Sequence, residues 1–248
     1  MPHPAIPGAI GNPFIILETV DSTNNYAMQK VQSGQAPHGI TWFAREQTAG
    51  KGQRGKSWLT TANQNIMLST VIQPALAGSQ QFLLSAAVAL ACYDFYKNYA
   101  VDEISIKWPN DLYWRDRKAG GILIENVFRG QDWSFAVVGI GININQVQFD
   151  AALPNPVSLK QITGRNFDVV ELGKELCNCL NKRYRQLPGD ILQQYQQVLY
   201  KLNQPVVLKK GNVVFETIIR GVSAAGRLLT HDVVDREFEF GEVEMVRQ

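Results

Sequence analysis

"KWPNDLYWRDRKAGG", residues 107–121, decides how the chain is read. The strand-like run EISI (103–106) leads into it, and Pro109 forces a sharp exit because its ring fixes φ and removes a backbone donor. Asn110 and Asp111 then fall in a turn, where an amide and a carboxylate can hold a polar ligand or the water on a metal ion. Lys118 opens the apolar run KAGGILIENVF (118–128), between Arg117 and two glycines. A lysine rooted in a strand has a fixed base, so its ammonium can be aimed. A turn followed by a strand-edge lysine accounts for the same letters without any function.

Working outward, FIILETV (14–20), GITWFAREQ (39–47) and NIMLSTVIQP (65–74) read as strands. WSFAVVGIGININ (133–145) pairs with KAGGILIENVF across the turn RGQD. DSTNNYAMQKVQSG (21–34) is a helix, capped by Asp21, Ser22 or Thr23 and ended by Gly34 in the left-handed region. The segment 79–99 is a helix apolar nearly all round, hence deeply buried. Further helices are expected at 168–184 and 190–202, after a loop at 154–164. From Gln204 onward only short strand-like runs and turns remain, which predicts a small β-barrel. Strands and helices mix without βαβ alternation, so the class is α+β with a mixed sheet. The expected division is a domain over 1–202 and a β-barrel domain over 203–248.

Composition narrows the function classes. Among 248 residues, 45% are hydrophobic and 19% charged, as in a globular protein. The net charge of +2 gives no general attraction to nucleic acid, so any basic site is local. The three cysteines Cys92, Cys177 and Cys179 form no disulfide framework or CxxC pair, and read as small buried hydrophobes in a reducing compartment. His3, His38 and His231 stand in no motif, which gives a Ser-His-Asp or Cys-His hydrolase little support. The first residues lack a signal-peptide pattern, and no apolar run approaches the roughly 20 residues of a membrane span. A cytoplasmic protein without membrane contact is expected.

Three more stretches can carry chemistry. EQTAGKGQRGKSW (46–58) interleaves Gly50, Gly52 and Gly55 with Lys51, Arg54 and Lys56. Amides bared by glycine and flanked by cations can cradle phosphate. It is neither a Walker A loop nor a dinucleotide fingerprint, and a solvated hairpin loop would use similar residues. DSTNNYA (21–27) is a helix start whose hydroxyls and free amides are also ligand donors. GIGIN (139–143) places glycines in an apolar strand, a sign of close approach by a ligand or another backbone.

Taken in order, DSTNxxA, EQTAGKGQRGKxW, KWPNDLYW…KxGGILIE and GIGINxN resemble the biotin protein ligases, also called biotin–[acetyl-CoA-carboxylase] ligases. The match covers about residues 14–145, and the later helices and β segment suit the family layout of a mixed-sheet domain followed by an SH3-like barrel. The resemblance implies a reaction in two steps. Biotin and Mg²⁺-ATP give biotinyl-5′-AMP; biotin then passes to a lysine of a biotin carboxyl carrier protein. It implies biotin contacts from Ser22, Thr23, Asn24, Gln47, Gly50, Lys51, Gly52, Gln53 and Lys118. It implies ATP contacts from Arg54, Lys56, Trp58, Asn110, Asp111 and Asn143, with Mg²⁺ near Asn110 and Asp111, and catalysis led by Lys118 with Lys51 and Arg54. The start near Phe14 leads us to expect the type without a winged-helix domain and without DNA binding. Family members occur as monomers and as homodimers, and the sequence does not choose between them.

One departure stands out. Many members read GRGRRG where this chain reads GKGQRG, so Gln53 and Lys51 replace arginines. Glutamine offers hydrogen bonds but no permanent charge, and the expectation is weaker retention of the adenylate. The competing readings are a lipoate or octanoate ligase of the same fold, and a non-catalytic biotin-binding module.

Overall fold

The computed structural model describes residues 8–100 and 103–246. Its centre is a mixed sheet of seven strands: β1 (Phe14–Val20), β2 (Thr41–Gln47), β3 (Asn65–Ile72), β4 (Ile104–Lys107), β5 (Asp111–Trp114), β6 (Arg117–Arg129) and β7 (Asp132–Asn143). Their spatial order is β1-β2-β3-β7-β6-β5-β4. Only β1 and β2 run parallel; the remaining pairs are antiparallel.

Helices cover both faces, which explains why β3 is buried at every position. On one face lies α1 (Thr23–Gln32), with Ala27 and Val31 against Trp42, Val71 and Val137. On the other, α2 (Gln81–Lys97) and α4 (Val169–Tyr184) pack on Phe43, Leu68, Ile72 and Val138. Alternate residues of β3 and β7 therefore serve two different interiors.

Two short elements were hidden in the sequence. Asp111 is not in a turn but opens β5, and α3 (Leu159–Thr163) lies inside the predicted loop, started by a Ser158–Gln161 capping box. The helix expected over 190–202 is shorter: α5 spans Ile191–Gln197. Beyond it Val198 O accepts from Ile106 N at 2.8 Å, Tyr200 N donates to Ile106 O at 2.9 Å and Asn203 N to Ile219 O at 2.8 Å, which takes those backbone groups out of helical pairing. Ser22 does occupy the N-cap of α1, but its side chain makes no capping bond. Gln47 Oε1 instead accepts the Thr23 N–H at 2.7 Å.

The C-terminal segment folds as an antiparallel sheet in the order β11-β10-β9-β8-β12. The strands are β8 (Pro205–Lys210), β9 (Val213–Val222), β10 (Leu228–His231), β11 (Asp235–Phe238) and β12 (Glu244–Val246). It is fastened to the first sheet through the stretch that opened the sequence reading. Trp108 Nε1 donates to Gly226 O at 2.9 Å and its ring meets Phe240 edge-on; the same turn is held from α5, where Tyr195 OH donates to Pro109 O at 3.0 Å. Among the described residues, no helix is long and apolar enough to cross a membrane.

Candidate active site

A cavity of about 720 Å³ lies on the face of the first sheet that carries α1. Cross-strand partners share a face, so the register builds its floor: Ser69 lies opposite Gly139, Met67 opposite Gly141, and Gly141 opposite Gly121. The glycines are there for room. A Cβ on Gly139 would stand 2.1 Å from Asn24 Oδ1, and one on Gly141 would stand 2.4 Å from the Trp58 indole. The close approach expected at GIGIN is found, but it is made by two side chains, Asn24 and Trp58, and not by another backbone.

The closed end of the cavity is a buried polar cluster. Ser22, Thr23, Asn24 and Ser69 are all at most 4% exposed. Gln47 Oε1 accepts from Thr23 N at 2.7 Å and lies 3.1 Å from Thr23 Oγ1. Ser69 Oγ lies 2.8 Å from Thr23 Oγ1 and 2.6 Å from Asn24 Oδ1. Asn24 Nδ2 donates to Glu125 Oε2 at 2.8 Å and to Leu123 O at 3.3 Å. Ser69 and Glu125 were not among the site residues named from sequence. Glu125 closes the KxGGILIE string that carried the resemblance, with no role of its own, and Ser69 sits mid-strand with no motif around it; both are far from Asn24 in the chain.

Near the opening stands Lys118. A β-bulge between β5 and β6 shifts the register after Leu112, so that Lys118 pairs with Tyr113 and points to the same side as Asp111 and Gly121. Its backbone is clamped: Lys118 N donates to Asn155 O at 3.0 Å, and its carbonyl accepts from Val157 N at 2.9 Å. Its ammonium meets Asp111 Oδ1 at 2.8 Å and lies 5.7 Å from the Trp58 ring centroid. Both partners of the ion pair are about a quarter exposed (28% and 23%), so the pair is reachable yet partly shielded from screening.

The loop 50–58 is a small hairpin, as one of the two sequence readings allowed. Gly52 N donates to Lys56 O and Trp58 N to Gly50 O, and Arg54 turns the chain at φ 55°. Gln53 Nε2 donates to Ile122 O at 3.3 Å. The Arg54 guanidinium lies against Gly241, where a Cβ would come within 3.1 Å of its Cζ. Lys51, Arg54 and Lys56 are exposed at the cavity rim.

Of the residues named from sequence, all but Gly50 line this one cavity. Gly50 packs beneath it, with room only for hydrogen where a Cβ would meet Trp58 O at 2.4 Å. Two amides are turned to structural tasks. Asn110 Nδ2 donates to Ile122 O, and Asn143 Nδ2 donates to Val157 O at 3.2 Å and Lys118 O at 3.4 Å, bracing the catalytic candidate from behind. Lys107 and Tyr113 also line the cavity, and the C-terminal segment adds a wall through Leu208 and Ile219 of its sheet and Phe240 and Val243 of the turn between β11 and β12. Among the described residues no group of three or more His, Cys, Asp or Glu could form a protein-only metal cage.

Comparison with known proteins places this geometry. Residues 16–143 match the model of the biotin/lipoate A/B protein ligase family. The biotin–[acetyl-CoA-carboxylase] ligase of Paracoccus denitrificans is 30% identical over 236 residues, covering 90% of this chain and 95% of that protein. The bifunctional ligase/repressor BirA of Escherichia coli is 28% identical over 242 residues, covering 95% of this chain and 74% of its own. The solved biotin protein ligase of Aquifex aeolicus, in complex with biotin and ATP, superimposes with a TM-score of 0.79 at 23% identity, over 95% of this chain and 99% of that one; it shows the shared fold. The chain belongs to the biotin/lipoate A/B protein ligase family, and within it to the biotin protein ligases.

Proposed function

We propose that this chain joins biotin to ATP as biotinyl-5′-AMP and then transfers biotin to a lysine of a biotin carboxyl carrier domain. One observation carries the reading: a single cavity runs from a buried hydrogen-bonding end to a clamped lysine and a rim of cations. The buried polar end suits a cyclic urea. A dithiolane or a plain acyl chain would leave the remaining lone pairs of Asn24 Oδ1 and Thr23 Oγ1 without a donor, at about 1–3 kcal/mol per group.

In the first step a biotin carboxylate oxygen attacks the α-phosphorus of ATP, and the bond to the bridging oxygen breaks to release pyrophosphate. Two anions must approach each other. Lys118 is placed to meet the carboxylate and the phosphate oxygens, while Asp111 holds its ammonium in position. Lys51, Arg54 and Lys56 supply further positive charge from the rim. Asp111 is the carboxylate that would hold a Mg²⁺ ion carried by the nucleotide, and that ion would offset phosphate charge while needing few protein ligands. Asn110 contributes by fixing the strand at Ile122 O.

In the second step the carrier's neutral amine attacks the acyl carbon, AMP leaves with the bonding pair, and the amine loses a proton to solvent. The anhydride must meanwhile be kept from water, a task suited to the glycine-rich hairpin over the cavity. We assign residues 1–202 to the catalytic unit and 203–248 to an SH3-like unit that completes its wall. The test is incubation with ATP, Mg²⁺, labelled biotin and a carrier domain. Label on the carrier lysine is the expected result, and an unlabelled carrier beside an active control ligase would refute it.

A further inference from the structure

Behind the closed end stands a carboxylate that the reaction itself does not use. We propose that Glu125 is a positioning residue: it fixes which way Asn24 presents its amide, and so makes the pocket select a head group bearing N–H donors. The inference rests on the biotin reading above and adds the cause of its selectivity.

A carboxylate only accepts, so the amino end of Asn24 must face Glu125 Oε2, 2.8 Å away. The second amino hydrogen points to Leu123 O at 3.3 Å. Both Asn24 donors are thereby committed, and Asn24 can meet a ligand only through the remaining lone pair of Oδ1. Ser69 must donate to that oxygen at 2.6 Å. Since Ser69 has one hydrogen, its 2.8 Å approach to Thr23 Oγ1 takes the threonine hydrogen. The 3.1 Å approach of Thr23 Oγ1 to Gln47 Oε1 is then left without one, and Thr23 keeps a lone pair for the cavity. Glu125 therefore sets the polarity of two residues at the closed end. Gly139 keeps Asn24 in place, since any Cβ there would displace its amide. The charge of Glu125 is tolerated because its outer side lines a second groove, of about 430 Å³, shared with Asp21, Asn25, Tyr26 and Lys51.

The test compares binding of biotin with that of a cyclic carbamate analogue, in which one urea N–H is replaced by oxygen. Wild type, Glu125→Gln, Glu125→Met and Glu125→Leu are measured, with KM for ATP alongside. Wild type should favour the urea by roughly tenfold or more. Glu125→Met should weaken biotin by about tenfold and bring the urea-to-carbamate ratio near unity with KM for ATP unchanged, because a freed amide can rotate. Glu125→Gln keeps an acceptor and should restore the ratio. A folded Glu125→Met that retains the wild-type ratio overturns the assignment. If that variant does not fold, Glu125→Leu removes the same acceptor with a shorter side chain: a reduced ratio supports the assignment and an unchanged ratio overturns it. Failure of the wild type to bind biotin would instead overturn the biotin reading, and this assignment with it.

Discussion

The closed end of the cavity and its rim are built on opposite principles. At the closed end, Thr23, Asn24 and Ser69 are buried and bonded to one another across α1, β3 and β6. At the rim, Lys51, Arg54 and Lys56 are exposed on a hairpin that reaches the body through Gln53, Arg54 and Trp58. Recognition of a neutral polar head gains from groups fixed in advance, since a buried group left unpaired is costly. Charge stabilisation over a reacting phosphate needs cations that can enter and leave with the nucleotide. Lys118 joins the two regimes: it is rigid at its backbone and reachable at its tip.

Mutations should therefore separate rate from affinity. Lys118→Ala should lower biotin-dependent ATP–pyrophosphate exchange by about 10²–10³-fold while KM for biotin moves much less, as measured by steady-state exchange. Gly139→Ala attacks the other regime. Its Cβ would collide with Asn24 Oδ1, so biotin affinity should fall by more than about tenfold with a smaller change in kcat, as read by calorimetry and exchange together. If both variants change the same parameter, the contrast between the two regions is wrong.

The hairpin should respond more mildly. Gln53→Arg places in the hairpin the charge that the family resemblance implies there, and biotinyl-AMP release should slow by several-fold in a rapid-dilution assay. Unchanged release would show that the Gln53–Ile122 bond already holds the hairpin as well as a charge could.

How much of this was legible beforehand depends on the length over which each signal is written. Long apolar runs gave β3, β6, β7 and α2, and glycine spacing marked the hairpin and the cavity floor. The four-residue β5 and five-residue α3 are too short for periodicity, and β5 sits between two turn-like segments. The bulge that turns Lys118 toward Asp111 leaves no local mark. The roles of Ser69 and Glu125 were illegible for a different reason, although Glu125 closes the KxGGILIE string. Their roles come from strand register and from contacts to Asn24 that are 45 and 101 residues away in sequence.

The smallest effect lies outside both regions and separates fold stability from chemistry. His38 is buried, its Nδ1 accepts from Gln73 N at 3.0 Å, and burial lowers its pKa from 6.5. The folded state thus favours the neutral ring. Its contribution to stability is complete above the unfolded value near 6.5 and is lost as pH falls through the lower folded value. Thermal midpoints should drop below about pH 6.5, and His38→Gln should flatten that part of the curve.

The central claim is tested most directly by ATP–pyrophosphate exchange on the intact chain with Mg²⁺, using biotin, lipoate and octanoate as alternative acids. Exchange driven by biotin, with the other two near background, is the predicted result. Exchange driven equally or better by lipoate or octanoate, or by no acid at all, would contradict it.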